Sequence, residues 1–311
     1  MTAAPVSVII PTLRRRESLA RALRSVLGQI GFEDLVREVV VVDNSPEASA
    51  RPLVEALAPA FPRPLRFVHA AQPGVATARN AGLAAVEGEL IAFLDDDEEA
   101  PPHWLGTLLS AHQAHGADVT FGAVHGRAPT AASWTRPYFE RLFSRSGPAR
   151  AGPTRRFWGC GNSLMTRATA LVGPAPFHVA HDQSGGEDDT LFRRLAKEGR
   201  SFVWSPEAWV YEHAPAHRAT MRYALKRAFA YGQSPCQAAA RRRDPLLLLL
   251  WMGIGAGQTV VYGSGALLLW LIRHPRRADL FDRTARGVGK LLWMPTFEPL
   301  FYGQAEAART A

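Results

Sequence analysis

The run Leu90-Ile91-Ala92-Phe93-Leu94 is apolar and ends abruptly in five acids, Asp95-Asp96-Asp97-Glu98-Glu99. The apolar part fits a strand buried on both faces, as in a parallel sheet. Open α/β sheets bind ligands beyond the carboxyl ends of their strands, and these carboxylates stand at such an end. Adjacent acids repel one another, so the cluster calls for a cation. A divalent metal with oxygen ligands meets that need. A solvated acidic turn is the plainer reading, and Pro101-Pro102 just beyond suits it.

The chain leading to this run alternates strand and helix signals. Val6-Ser7-Val8-Ile9-Ile10, bounded by Pro5 and Pro11, reads as a first buried strand. Leu19, Leu23, Val26 and Leu27 then recur at helical spacing. Arg14, Arg15, Arg16, Arg21 and Arg24 crowd that helix's start and outer face, against its macrodipole at the start. The misfit is explained if an anion or the acidic cluster is their partner; a solvated basic face is the alternative. Arg37 to Asn44 is a second strand ending in Asp43-Asn44, which fits an Asx-turn or a functional carboxylate. Ala48 to Leu57 reads as a helix and Leu65 to His69 as a third strand. Pro73-Gly74 makes a turn, and the small residues after it let a helix carrying Arg79 and Asn80 pack closely. Arg is well suited to bidentate phosphate contacts. The order β-α-β-α-β is that of a doubly wound half.

Beyond the acids, His103 to Leu109 starts a helix and Asp118 to Val124 a strand. From Arg127 to Pro153 periodicity is lost, which predicts a long loop with a short helix near Tyr138 to Phe143. Phe157 to Met165 mixes Trp with glycines, as in a strand lining a cleft that needs close backbone approach. Gly185-Gly186-Glu187-Asp188-Asp189 puts three acids at a helix start beside a glycine hinge. They cap the helix, or one of them is a general base. Ser201 to Trp204 and Ala208 to Tyr211 read as two short strands leading to Glu212-His213.

These features, in this order, resemble the family 2 glycosyltransferases, which have the nucleotide-sugar-binding, Rossmann-like GT-A fold. Four stretches between about Val6 and His213 carry the resemblance: Val8-Ile9-Ile10-Pro11-Thr12; Val41-Val42-Asp43-Asn44; Gly74 to Asn80 leading to Phe93-Leu94-Asp95-Asp96-Asp97; and Gly186-Glu187-Asp188. It implies an α/β catalytic domain over 1–218, with a mostly parallel sheet and helices on both faces. It implies that Pro11 and Thr12 line the nucleotide pocket and that Asp43 recognises the base, a uracil. Arg79 contacts base or phosphates. Asp95 and Asp97 are similar to the two acids of a DxD motif, Asp95 and Asp96 on the nucleotide-sugar side and Asp97 holding Mg2+ or Mn2+. Asp188 is similar to the catalytic base, and His213 to a histidine that adds a metal or diphosphate contact in some members. The implied reaction is metal-dependent, inverting transfer from a UDP-linked sugar. A nucleotidyltransferase is an alternative, but it would show a glycine-rich loop after the first strand, and Pro11-Thr12-Leu13 has none. Asp95, Asp97 and Asp188 argue against a non-catalytic membrane scaffold. A nicotinamide dehydrogenase is unsupported, since no GxGxxG follows the first strand.

Residues 219–311 read as a helical C-terminal region. Met221 to Ala240 is a basic helix, followed by Arg241-Arg242-Arg243. The segment 246–272 carries no charged residue and is long enough to cross a bilayer. Arg273, His274, Arg276 and Arg277 follow it. A single span would export one basic flank, against the positive-inside tendency. The glycines therefore predict a re-entrant or in-plane helical hairpin turning at Gly263-Ser264-Gly265; a single span and a buried helical pair are the other readings. The net charge of +8 calls for an anionic partner, and an anionic membrane surface accounts for much of it without nucleic acid. Met1 to Pro5 has no basic region leading to an apolar one, so no signal peptide is expected. Cys160 and Cys236 fit a reducing compartment. The site is thus expected at the cytoplasmic face of the plasma (inner) membrane, with a lipid-linked or polysaccharide acceptor.

Overall fold

A computed structural model describes residues 6–182 and 185–299. The first five residues, read above for a leader, and the end of the chain lie outside the described residues. The chain divides into two compact units: 6–126 with 144–213, and 127–143 with 214–299. Most of the segment read above as a long loop thus groups with the C-terminal region.

The first unit is built on a nine-stranded sheet. Strand β1 (Val6–Thr12) is buried along its whole length. Helix α1 (Arg16–Leu27) and the short α2 (Phe32–Leu35) lead to β2 (Val36–Asp43). Helix α3 (Arg51–Leu57) and β3 (Leu65–His69) follow, then α4 (Val75–Ala85) and β4 (Leu90–Phe93). These four strands are parallel, in the order β3-β2-β1-β4. The chain continues through β5 (Glu98–Glu99), α5 (Trp104–Ala114), β6 (Val119–Arg127), α6 (Arg136–Phe143) and β7 (Gly152–Thr154). Then come β8 (Ser163–Thr166), α7 (Arg167–Ala170), α8 (Glu187–Lys197) and β9 (Phe202–His213). Strand β8 is antiparallel to β4 and β6, and β9 is antiparallel to β5 and β7. The sheet is therefore mixed. Where two strands were expected, Ser201–Trp204 and Ala208–Tyr211, β9 is one; β6 flanks it on one side, and on the other β7 and β5 pair only with 202–204 and 211–212, so neither of those two ladders asks Pro206 for an N–H.

Side chains alternate across the sheet. Val8 and Ile10 face a layer with Leu19, Leu23 and Val26 of α1 and Trp104 and Leu108 of α5. Ile9, Val40 and Val42 face a layer with Ala76 and Leu83 of α4 and Leu191, Phe192 and Leu195 of α8. Helices thus cover both faces, and parallel register sets the carboxyl ends of β1, β2 and β4 side by side, with Thr12 opposite Asp43.

The second unit comprises α6 with α9 (Met221–Arg241), α10 (Pro245–Leu271) and α11 (Arg277–Leu291). Its small core joins Tyr138 and Phe139 to Ala219, Ala224 and Ala278. Helix α10 runs unbroken through Gly263-Ser264-Gly265, so the hairpin expected there does not form. Its glycines serve close packing on α11 instead. A Cβ on Gly255 would lie 2.9 Å from the Gly287 carbonyl oxygen, and one on Gly265 3.1 Å from Leu280.

Close packing also fixes α4 on the sheet. A Cβ at Gly82 would lie 2.7 Å from Ile9 Cγ2 and 3.0 Å from Val42 Cγ2. Gly82→Val should therefore overpack the layer and cost about 1–3 kcal/mol. Thermal unfolding in mild detergent should show the midpoint falling by several degrees; an unchanged midpoint would mean that α4 does not seat this tightly.

Candidate functional site

The acids that end β4 leave the sheet in a tight turn. Leu94 still donates its N–H to Ile9 O at 3.2 Å, and Glu98 N–H closes the turn on Asp95 O at 3.0 Å. Glu98 and Glu99 then pair with Glu212 and Tyr211 of β9. The turn is pinned at both ends.

Each acid meets a basic side chain from elsewhere in the first unit. Arg79 of α4 lies 3.3 Å from Asp95. One nitrogen of Arg15, just before α1, serves both Asp96 and Asp97 at 2.9 Å. Arg145 reaches Glu98 at 3.2 Å and Glu212 at 3.0 Å. The His213 ring is 2.7 Å from Glu99, and His213 N–H donates to Asp97 O at 2.8 Å. Thr12 donates its hydroxyl to Asp96 at 2.7 Å. Of the arginines at and along α1, Arg15 meets Asp96 and Asp97, and Arg21 lies 4.0 Å from Glu99. Burial pushes the Asp96 carboxyl up to about 6, with Arg15 opposing. Burial also raises Glu98 well above the carboxylate range, and Asp95 adds to it.

Across from the turn stands the start of α8. Glu187 is buried and accepts from Arg79, so this one arginine bridges Asp95 and Glu187 over the Phe177 ring. Burial raises the Glu187 carboxyl although Arg79 lowers it. Asp188 is half-buried. It accepts from the backbone N–H groups of Cys160 at 3.3 Å and Asp189 at 2.7 Å. The segment 159–161 runs between Asp188 and the acidic turn. A Cβ on Gly161 would lie 2.5 Å from Asp95 Oδ2, and one on Gly159 3.6 Å from Asp188 Oδ2. The close approach expected of this stretch falls at Gly161, while the strand itself begins only at Ser163.

At the end of β2, Asp43 is fully buried. Its two oxygens accept from Ser45 N–H at 2.8 Å and Ala50 N–H at 2.6 Å, an arrangement that shapes the 44–50 turn. Asn44 binds the Ala70 and Gln72 carbonyls and the Gly74 N–H. The start of α4 is capped from far along the chain: Asp182 accepts from Ala76 N–H, Thr77 N–H and the Thr77 hydroxyl. A Cβ on Gly74 would collide with that carboxylate at 2.1 Å.

Thr12, Arg79, Asp95, Asp96, Asp97 and His213 therefore converge on the acidic turn, with Pro11 buried beside Thr12 and Asp188 across the 159–161 segment. Asp43 lies at the neighbouring strand end with its oxygens turned to the backbone. Arg145, Asp182 and the Arg79–Glu187 pair were not foreseen from sequence. Arg145 sits in an aperiodic stretch, and no local pattern marks Asp182 as the cap of a helix so far upstream.

The turn offers hard oxygen donors, which fit Mg2+ or Mn2+. Among the described residues no three His, Cys, Asp or Glu converge as a ready cage. An ion completed by one or two carboxylates and substrate phosphates needs none.

The family sequence model described as "Glycosyl transferase family 2" matches residues 7–171. The succinoglycan biosynthesis protein ExoM of Rhizobium meliloti is 37% identical over 234 residues, covering 75% of this chain and 74% of that protein. The glycosyltransferase AglE of Haloferax volcanii is 26% identical over 258 residues, 80% of each. The crystal structure of S. aureus TarS 1–349 aligns with a TM-score of 0.49 at 18% identity, covering 72% of this chain and 64% of that one.

The raised Asp96 carboxyl has a consequence for stability. A carboxyl raised on folding stabilises the fold while protonated, and that contribution fades as pH climbs through its folded value. From about pH 4 to about pH 8, the protein should lose about 2–3 kcal/mol through Asp96, most of it below about pH 6. Asp96→Asn should flatten the fall of the unfolding midpoint over this window; an equally steep fall in the variant would remove Asp96 from the account.

Proposed function

The chain belongs to glycosyl transferase family 2, and on that premise we propose that it transfers a sugar from a UDP-linked donor to a lipid-linked or polysaccharide acceptor, with metal dependence and inversion, at the cytoplasmic face of the plasma membrane. The observation that carries this is the division between two neighbouring acids. Glu187 is buried and paired with Arg79. Asp188 is half-exposed, accepts from two backbone N–H groups among the described residues, and lies near the acidic turn. A general base must be reachable and free to take a proton, and Asp188 meets both conditions.

The donor would lie over the carboxyl ends of β1 and β4. Pro11 and Thr12 would line its nucleotide, and Asp43 would hold the turn on the base side. Arg79, already between Asp95 and Glu187, would turn its positive charge toward the diphosphate. Asp95 and Asp96 would border the nucleotide-sugar. Asp97 would hold the divalent ion, and His213, now on Glu99, is the candidate for a further contact. When bound, such an ion neutralises the diphosphate as a Lewis acid. Asp188 takes the proton of the acceptor hydroxyl as that oxygen bonds to the anomeric carbon. The bond from that carbon to the diphosphate oxygen breaks on the opposite side, and the configuration inverts. A relative supports the acceptor class: ExoM is named for succinoglycan biosynthesis, as a cell-surface glycan acceptor would require. The exposed apolar α10 supports a membrane setting.

Turnover of a panel of nucleotide-sugars by the full chain in native membranes, which carry the acceptor, tests this reading. One UDP-sugar should be consumed, and Asp188→Asn should slow its transfer by roughly 10²–10⁴-fold while donor binding persists. Transfer within a few-fold of the unaltered protein would remove Asp188 as the base.

A further inference from the structure

We propose that α10 lies in the plane of an anionic membrane, sunk into one leaflet, and does not cross the bilayer. This rests on the membrane setting proposed above and not on the sugar chemistry.

The two faces of α10 differ in what covers them. One packs on α11 through Gly255, Thr259, Gly263 and Gly265. The other is apolar and uncovered from end to end. Leu246 is 78% exposed, Val260 and Val261 are 67% exposed at mid-helix, and Leu271 is 64% exposed. A continuous apolar stripe of this kind marks a surface covered by a membrane or a partner. Length alone permits a span: 27 residues make a helix of about 40 Å against a hydrocarbon core of about 30 Å.

The neighbour of α10 forbids it. Helix α11 carries Arg277, Asp279, Asp282, Arg283, Arg286 and Lys290 within 15 residues. Lys290 Nζ donates to Gln258 at 3.0 Å, and Gln258 is the midpoint of α10. The Arg283 guanidinium lies 5.2 Å over the Tyr262 ring, one turn further on. A transmembrane α10 would carry these cations to the bilayer centre, where charged side chains are costly to place. In the plane of the membrane, the same contacts put α11 on the water side and the apolar stripe in the acyl region.

Charge at the helix ends names the lipid. Arg241, Arg242 and Arg243 precede α10, and Arg273, His274 and Arg276 follow it, all exposed. A helix in the plane brings both groups to headgroup level, where their arginines are attracted to anionic lipid. The helix also opens on a polar cap, Asp244 accepting from Leu247 N–H at 2.9 Å.

Spin labels on Leu250→Cys, Val261→Cys and Leu268→Cys test the geometry. The full chain would be reconstituted in phosphatidylcholine vesicles containing roughly one-third phosphatidylglycerol. Accessibility to oxygen and to a polar nickel complex reports depth. All three labels should sit at one shallow depth, roughly 5–10 Å below the headgroups. A profile deepest at residue 261 and shallow at both ends would establish a span and overturn the proposal. Labels open to water throughout would overturn the membrane setting as well, while donor turnover would still judge the enzyme separately. Replacing Arg241, Arg242 and Arg243 by Gln should weaken vesicle binding roughly tenfold or more; unchanged binding would overturn the role of anionic lipid.

Discussion

Five carboxylates in a row at the end of a buried strand cannot stand without cations. The first unit supplies them from separate places: Arg15 before α1, Arg79 on α4, Arg145 before β7 and His213 at the end of β9. Removing one partner of a buried ion pair leaves an uncompensated charge that costs about 3–5 kcal/mol. The arrangement of the site and the placement of four distant segments are therefore one problem. The basic start of α1, unfavourable to that helix alone, is explained by the acids it serves.

Close backbone approach completes the arrangement. Gly161 lets the chain pass Asp95, and Gly74 lets Asp182 cap α4, which in turn aims Arg79. Arg79 then separates the two acids at the start of α8 by giving Glu187 a buried partner. Asp188, beside the turn, is hydrogen-bonded among the described residues to backbone N–H groups instead. The family gives the reaction class; this difference in environment suggests which carboxylate can accept a proton.

Much of the site was legible in sequence because it is local. Strand ends, the acidic run and the Glu187-Asp188 helix start each occupy a few consecutive residues, and parallel β-α-β order brings strand ends together. What stayed hidden depends on distant pairing. Arg145 lies in a stretch without periodicity, and Asp182 acts on a helix about a hundred residues earlier. Asp43 was ambiguous, and its hydrogen bonds turn it toward the backbone. The glycines of α10 suited either a turn or a tight helix contact, and only α11, beyond the reach of local pattern, decides for the contact.

The most direct measurement of the central claim, that the acidic turn is where a nucleoside diphosphate and its metal are held, is calorimetric binding of UDP with and without Mn2+. Binding should require the ion, vanish in Asp97→Asn and survive in Asp188→Asn. Binding that is indifferent to Mn2+ and to Asp97 would contradict the account and move the nucleotide away from this turn.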